Sequence, residues 1–402
     1  MLKNILNISA LASRDFRYYL SGNAISLQGL WIQRITVAWI AWDLSGQAAF
    51  VGFVAFLGFA PTMVTGPFFG VLADRTPLLR FATWTQSILC ALASLMALLF
   101  ALGMLTQVTL SVLALAIGVA TSSHHPVRMA LAPLLAPKEA MSSVITATAL
   151  NFNLARSIGP AIGGGLIAAF GVGPTLCLIA ISYLPFIVLL RWLHPRDRAL
   201  ENADARSVLG GLAEGLARVR GDPFMRRVLA ATSVFALGAR GILELLPAIA
   251  DGVFARGPAG LGTLTSAAGL GALAASLAVV AMPPISPGRV PRRGWIAVWA
   301  GLALGLALAI TSSWPVALAV TVCLGASGAV VGVAMQSSLQ LTLEDRYRGR
   351  VMSLWVMTGI GSAALGAVLI GALSDLVGLP LGTVLVYGAG LALFGAVSRH
   401  RV

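Results

Sequence analysis

Long apolar segments recur along the whole chain and are separated by short polar gaps. Twelve such segments are predicted, near residues 18–42, 48–72, 81–103, 108–130, 143–170, 174–193, 228–250, 259–282, 295–312, 315–338, 350–373 and 380–398. A helix needs about 20 apolar residues to cross the hydrocarbon core of a bilayer. Because a lipid-exposed backbone must satisfy its own hydrogen bonds, these segments are expected to be helical. The pattern predicts an all-α membrane protein with twelve transmembrane helices.

Basic residues mark one side of this predicted topology. Except for Arg34, Arg156, Arg240 and Arg256, every Lys and Arg lies in the N-terminal tail, in or beside every second gap, or at the C-terminal end. The intervening gaps carry mainly acidic residues, namely Asp43, Asp251 and Asp375. Cytoplasmic loops of membrane proteins retain Lys and Arg, whereas translocated short loops lack them. Both termini are therefore expected to be cytoplasmic.

The composition supports a membrane protein and argues against a soluble one. The chain of 402 residues is 58% hydrophobic and 10% charged, with a mean hydropathy of +0.90. Soluble domains have roughly a quarter of their residues charged. The net charge of +13 is spread over many loops, without the aromatic-studded basic surface of a nucleic-acid-binding protein. We therefore expect no nucleic-acid partner.

The longest gap divides the predicted spans six and six. We expect an N-terminal six-helix bundle over residues 1–194, a cytoplasmic linker over 195–226 and a C-terminal six-helix bundle over 227–402. The linker carries apolar residues at helical spacing, at Leu209, Leu212, Leu216 and Val219. This spacing predicts a short amphipathic helix on the membrane surface, with a linking and not a chemical role.

The most specific short motif ends the second segment, where residues 70–75 read Gly-Val-Leu-Ala-Asp-Arg and Arg80 follows. Gly-x-x-x-Asp-Arg between the second and third spans of a twelve-span protein resembles the signature loop of the major facilitator superfamily. The resemblance implies that Gly70 permits close helix approach, and that Asp74, Arg75 and Arg80 form a latch holding the cytoplasmic side closed. The sequence departs from the family pattern, since Thr-Pro-Leu-Leu replaces the usual Gly and basic pair. The alternative is a helix-ending turn with ordinary cytoplasmic charge.

Other stretches extend the resemblance over nearly the whole chain. Residues 29–46, 155–164, 212–220 and 348–353 look like the enterobactin-exporter and macrolide-efflux branch. The resemblance implies the major facilitator fold, alternating access by two six-helix bundles and, in this branch, export.

The fifth segment contains a run of small residues and a proline. Gly159, Pro160 and Gly163 resemble the antiporter motif of this segment, where Gly and Pro allow a helix to pack closely and bend. Arg156 lies one turn earlier and is expected to hold this gating helix in place. Ordinary helix packing is the alternative for the glycines.

Four ionisable residues lie well inside apolar segments: Arg34, Arg156, Arg240 and Glu244. Each ionised side chain costs roughly 2.5–3.5 kcal/mol on insertion scales, so each should face a cavity or a partner. Arg240 and Glu244 are four residues apart and can pair on one helix face. They form either a self-neutralising structural pair or a site at which Glu244 carries a proton.

The resemblance implies that segments 1, 4, 7 and 10 line a central cavity. Gln33, Arg34, Arg240, Glu244 and Gln336 would then be the substrate and proton residues. Arg34 could meet an anionic substrate or a segment of the other half.

Sequence motifs of enzymes are missing: there is no HExxH site, no Walker phosphate loop and no Gly-x-Ser-x-Gly turn. His124 and His125 invite a metal or proton role, but adjacent residues point in different directions on a helix. We therefore expect neither catalysis nor a metal or cofactor.

The combined prediction is a secondary active transporter of the bacterial inner membrane. We expect a monomeric, proton-coupled exporter of small amphipathic molecules such as siderophores, macrolides or other drugs. Its expected partners are the substrate, protons as coupling ion and membrane lipids. An importer or facilitator of a small polar solute is the alternative, and a membrane-embedded enzyme acting on lipid is a third possibility.

Overall fold

The computed structural model describes residues 9–196, 208–280, 282–283 and 285–399. This part of the chain is helical and contains no β-strand. The first half consists of α1 (Arg14–Ser45), α2 (Ala48–Arg75), α3 (Leu78–Ala101), α4 (Gln107–Leu131), α5 (Met141–Phe170) and α6 (Val172–Leu190). Short 3₁₀ helices occupy Ser9–Ala12, Ala132–Leu135 and Lys138–Ala140.

The second half begins with a short helix and continues with the remaining predicted segments. Its helices are α7 (Val208–Gly221), α8 (Pro223–Phe235), α9 (Gly241–Glu244), α10 (Gly257–Val280), α11 (Arg292–Ile310), α12 (Trp314–Thr342), α13 (Asp345–Val377) and α14 (Leu379–Arg399). Every one of the twelve predicted segments falls on helical structure. The prediction of an all-α fold is confirmed.

Eight of these helices are long and apolar enough to cross a membrane: parts or all of α2, α3, α4, α6, α10, α11, α12 and α13. The other four predicted spans do not meet this criterion of length and hydropathy, and their sequences and helix boundaries show why. α1 and α5 carry embedded polar and cationic residues such as Gln33, Arg34 and Arg156. The apolar part of α14 is shorter, Leu379–Ala392, and the seventh span is broken into pieces.

The seventh span is not the continuous α-helix that hydropathy predicts. After α8 the backbone forms a π-helix at Ala236–Arg240, the single turn α9, and a second π-helix at Ala248–Val253. Glycine and proline account for the interruption. Gly238 and Gly241 lack the side chains that stabilise a regular helix, and Pro247 cannot donate a backbone hydrogen bond. Hydropathy detects the apolar run but not its helical register.

Two compact units follow from the contacts within the chain. The first comprises the described residues within Met1–Val37 and Val64–Asp204, and the second those within Ala38–Met63 and Ala205–Val402. The C-terminal part of α1, the connection to α2 and the first half of α2 therefore belong to the second unit. The expected boundaries at 194 and 227 rest on the sequence and stay a prediction.

In the first unit, α3 packs along α4 and α6, and α5 packs against α6. Its buried core contains the aromatic side chains of Phe16, Tyr19, Phe81 and Phe186, with aliphatic residues such as Leu131 around them. Tyr19 and Phe186 meet edge to face, with 5.6 Å between ring centroids. This core fixes one end of α1 against α4 and α6.

In the second unit, glycines let α10 and α12 cross at very short range. A Cβ built on Gly271 would overlap the carbonyl of Val322, and one built on Gly325 would overlap the carbonyl of Ala268. No side chain fits at either position, so the two backbones are in direct contact. Such small-residue crossings replace the hydrophobic effect as the source of helix association in lipid.

The linker helix α7 packs against α13. Glu214 of α7 forms an ion pair with Arg350 of α13, and Gly215 lies against the Arg350 stem and Leu354. The helix ends at Gly221, and Asp222 then caps α8 by accepting hydrogen bonds from the backbone N–H groups of Phe224 and Met225. Ser207, the expected N-cap of α7, lies outside the described residues.

Candidate functional site

Helices α1 and α5 touch through the glycines of the predicted gating helix. A Cβ on Gly159 would lie 2.7 Å from Cβ of Trp31, and one on Gly163 would lie 2.6 Å from Cγ2 of Ile35. Both distances are too short for any side chain. Pro160 lies buried between the two glycines within α5. The glycines therefore hold Trp31 at a fixed distance from α5.

Beside this junction, four side chains form a continuous row, which we call the aromatic stripe: Arg34, Trp31, Phe152 and Arg128. The Arg34 guanidinium lies 5.3 Å from the Trp31 ring centroid. Trp31 meets Phe152 edge to face at 5.9 Å, and the Arg128 guanidinium lies 4.7 Å from the Phe152 ring centroid. Cation–π contacts contribute about 0.5–2 kcal/mol each, more when desolvated. The stripe thus places a cation at each end of an aromatic pair.

A small cavity, which we call the donor cavity, adjoins the Arg128 end of the stripe. It is lined by Tyr19, Asn23, Gln86, His124, Arg128 and Phe186, among others. Its space suits about one water molecule. Arg128 is 8% exposed. Among the described residues, its Nε and one terminal nitrogen, the Tyr19 hydroxyl and the Asn23 amide nitrogen have no hydrogen-bond partner.

Existing hydrogen bonds around the cavity already occupy several acceptor oxygens of its wall. Asn23 uses its carbonyl oxygen to accept from the Asn151 amide at 3.2 Å. Gln86 accepts from the Ser26 hydroxyl at 2.7 Å. The unpartnered atoms on the cavity wall are therefore mostly donors, and a buried donor without an acceptor costs about 1–3 kcal/mol.

Gln33 occupies the interior of the first unit. It is 1% exposed, and its carbonyl oxygen accepts a hydrogen bond from the Tyr183 hydroxyl at 2.7 Å. This hydrogen bond connects α1 to α6. Arg34, the next residue, is only half-buried. Adjacent residues on a helix point about 100° apart, so the two cannot share one surface.

Arg156, on α5, is half-buried and lies one turn before Gly159. It belongs to the first unit, as do Arg34 and Arg128. Within that unit, α1 up to Val37 and helices α3 to α6 carry one acidic residue, Asp15 at the start of α1, while Asp74 lies at the end of α2 and Glu139 between α4 and α5. Asp15 accepts from the His194 backbone at 3.1 Å, close to the end of α6.

In the second unit, Arg240 closes the first π-helix and Glu244 ends α9. Arg240 is exposed and Glu244 is half-buried. Neighbouring Gly241 lies directly against the backbone of Gly366 and Ala367 on α13. Gln336 is half-buried on α12. The irregular turns on either side of Glu244 resemble the π-bulges found frequently at functional sites.

The first turn of α2 is fixed to the end of α13 by a carboxylate. Asp375 accepts hydrogen bonds from the backbone N–H groups of Ala48 and Ala49 at 2.9 and 2.8 Å. Gly52 and Gly371 bring the two helices into backbone contact beside it. The negative charge meets the positive end of the α2 dipole. We call this contact the α2–α13 seam.

Replacing Asp375 by Asn should loosen the α2–α13 seam. The amide keeps the shape but loses the charge and one acceptor, so the unfolding free energy should fall by about 1 kcal/mol. Thermal unfolding of the purified protein measures the change. Asp43→Asn, at the exposed end of α1, is the matched control and should leave the unfolding temperature unchanged. An equal shift in both variants would contradict the capping role.

The predicted latch lies where α2 ends and α3 begins. Gly70, Asp74 and Arg75 fall in the last turns of α2, which ends at Arg75, and Arg80 lies in the first turn of α3. Arg75 and Arg80 are exposed. The Asp74 side chain lies outside those described. The latch therefore stays a prediction.

Arg128 is the residue whose burial the charge pattern does not predict. The charge pattern assigned it to the cytoplasmic loops, but its side chain is buried within the bundle. Its position inside the predicted span 108–130 was the available signal. No group of three His, Cys, Asp or Glu residues suited to a metal occurs in the described part of the chain.

Comparison with known proteins agrees with this architecture. The family described as transmembrane secretion effector matches residues 6–402. The staphyloferrin A transporter of Staphylococcus aureus is 26% identical over 184 residues, so that the chain spans about half of that relative: 44% of this chain and 45% of the other. The multidrug efflux pump Tap of Mycolicibacterium fortuitum is 25% identical over 397 residues, covering 94% of this chain and 91% of Tap.

Solved structures show the same fold at low sequence identity. A bacterial homologue of the human lysosomal transporter Spinster superposes with a TM-score of 0.72 at 15% identity, over 96% of this chain and 97% of the other. The nucleoside transporter NupG superposes with a TM-score of 0.71 at 12% identity, over 96% and 100%. The resemblance read from the motifs is confirmed, and the fold is one of transporters. The chain is a multi-span membrane protein of the transmembrane secretion effector family, within the efflux-like branch of the major facilitator superfamily.

Proposed function

We propose that this protein is a proton-coupled exporter of small amphipathic molecules, working as a monomer by alternating access. It would lie in the bacterial inner membrane with both termini cytoplasmic, as the distribution of Lys and Arg predicts. The similarity to the efflux pump Tap over nearly the whole of both chains supports export. NupG shares the fold, and a fold alone does not set the direction of transport.

The observation that carries the coupling proposal is the position of Glu244. It is the only Asp or Glu within the twelve predicted spans, and it is half-buried between two π-helical turns. An ionised carboxylate within a span is costly and marks a candidate site for a transported or coupling ion. Proton uptake from outside would neutralise Glu244, with Arg240 one turn away tuning the exchange, and would shift the balance between the two transport states.

The remaining predicted residues receive roles in the same cycle. Gly70, Asp74, Arg75 and Arg80 would latch the cytoplasmic side. The gating helix α5 would shift relative to α1 at their close contact, which is formed by Gly159, Pro160 and Gly163. Arg156 would position this helix. Arg34 and Gln336, both half-buried, would contact substrate, and Gln33 would act indirectly by holding α1 against α6.

Transport by everted membrane vesicles tests this proposal directly. Vesicles containing the protein, energised by respiration, should accumulate fluorescent amphipathic dyes against a gradient, and a protonophore should abolish the accumulation. A panel with one anionic, one neutral and one cationic dye avoids dependence on a single cargo. Vesicles without the protein provide the background.

Other outcomes identify the alternatives. Dye that merely equilibrates, unaffected by the protonophore, would indicate a facilitator. Uphill movement in the opposite direction would indicate an importer. Conversion of lipid by the purified protein without transport would favour a membrane-embedded enzyme.

A further inference from the structure

We infer that the first unit carries a subsite for an anionic group, and that the cargo is an amphipathic carboxylate with a flat aromatic or unsaturated body. The subsite consists of the donor cavity together with the aromatic stripe. The inference rests on the proposed function and narrows its substrate class.

The charge balance around Arg128 favours an anion. Arg128 lies on α4, a helix that carries no acidic residue. No described side chain forms an ion pair with Arg128. A buried guanidinium without a counter-charge is unfavourable, because removing it from water is not repaid. A bound carboxylate would supply the missing charge.

The hydrogen-bonding groups of the donor cavity fit the same chemistry. Arg128 presents two unpartnered nitrogens, and Tyr19 and Asn23 add a hydroxyl and an amide donor beside it. A carboxylate accepts up to four hydrogen bonds and matches the fork of a guanidinium. A cation or a neutral donor would leave these groups unpaired.

The aromatic stripe provides a surface for the rest of such a molecule. Trp31 and Phe152 are half-buried, and the Trp31 indole N–H is a further donor without a partner. Flat ligands stack on aromatic rings and on guanidinium planes. The fixed distance between α1 and α5 at Gly159 holds the two rings in register. An aromatic body would lie along the stripe while its carboxylate reaches Arg128.

Three probes of one shape and different charge test the inference. The purified full-length protein in detergent is titrated with 2-naphthoate, neutral 2-naphthamide and cationic 2-naphthylmethylammonium, at constant chloride, by calorimetry. We expect naphthoate to bind about tenfold more tightly than the amide, since a hydrogen bond to a charged group contributes about 1.5–3 kcal/mol. The cation should bind most weakly. Equal affinity for all three probes would overturn the inference.

Variants assign the selectivity to the subsite. Arg128→Gln should remove the preference for naphthoate over the amide, about a tenfold loss. Arg128→Lys keeps the charge but not the planar stack, so it should retain part of the preference. Arg292→Gln, at the exposed start of α11, removes a surface charge and should retain the full preference. Loss of preference in this control would overturn the assignment to Arg128.

A second variant covers the case in which Arg128→Gln does not fold. Phe152→Leu changes a half-buried side chain and should weaken naphthoate binding about threefold through the lost cation–π and stacking contacts. Its unfolding temperature without ligand should fall by only a few degrees, so that the variant is folded in the binding assay. Unchanged naphthoate affinity would count against the stripe. Stabilisation by chloride without preference for naphthoate would assign the cavity to an inorganic ion and overturn the inference.

Measuring naphthoate binding together with proton-driven efflux separates the proposal of an anionic subsite from the proposal of an exporter. Preferential naphthoate binding without proton-driven efflux would uphold the anionic subsite and reject the exporter. Proton-driven efflux of the neutral and cationic dyes, with no preference for naphthoate, would uphold the exporter and reject the subsite.

Discussion

Replacing Glu244 by Gln should reduce proton-driven efflux to the level of protonophore-treated wild-type vesicles. Gln mimics the protonated carboxylate in shape and polarity but cannot release a proton, so the two transport states no longer respond to the proton gradient. Substrate binding should persist, since the neutral form of the site is preserved. Dye accumulation by everted vesicles and calorimetric binding measure the two properties separately.

The matched control is Glu139→Gln, the same chemical change at an exposed position between α4 and α5. It should transport at the wild-type rate. Normal proton-driven efflux by the Glu244 variant would reject Glu244 as the coupling residue. Loss of both binding and expression would instead identify it as part of a structural pair with Arg240.

A valine in place of Gly163 should destabilise the first unit by about 1–3 kcal/mol, the usual cost of overfilling a packed interior. Even a methyl group would lie 2.6 Å from Cγ2 of Ile35 and 3.3 Å from Cα of Ile32. Because the Ile32 Cα belongs to the backbone, it cannot move away by a change of side-chain rotamer. The unfolding temperature in detergent should fall, and naphthoate binding should weaken because Trp31 moves with α1.

Gly165 offers a control two residues further along the same helix. It is exposed, and a Cβ there would meet nothing within 4 Å. Gly165→Val makes the identical substitution and should change the unfolding temperature little. Equal destabilisation of the two variants would show that valine disturbs α5 itself, and that the contact with α1 is not the cause.

Much of the fold could be predicted because lipid imposes simple requirements on a sequence. Apolar length selects the spans, and the need to satisfy backbone hydrogen bonds makes them helical. The short motif at residues 70–75 then selected the superfamily. The same reasoning failed at the seventh span, since hydropathy averages over a window and carries no information on whether a turn holds four residues or five.

The candidate site was predicted less completely, for a reason visible in Arg128 and Gln33. The positive-inside rule counts charges near the ends of spans and does not reveal whether a side chain points to water or into the bundle. Arg128 was therefore treated as a loop charge, although it is buried. The resemblance implies that Gln33 and Arg34 both belong to the cavity lined by the first segment, although the two side chains point in different directions. Side-chain direction depends on neighbouring helices that one sequence does not specify.

The two π-helical turns around Glu244 have a mechanical consequence. A π turn contains about one residue more than an α turn. The π turn at Ala236–Arg240 therefore holds one extra residue compared with a regular α-helix. Converting this turn to α-helix would shift the extra residue into the following segment. The shift would rotate α9 by about 100°, the angle between successive residues of a helix. Glu244 would swing to another face while the ends of the span stayed in place. Such a rotation would carry the carboxylate from one neighbouring helix to another without moving the whole span.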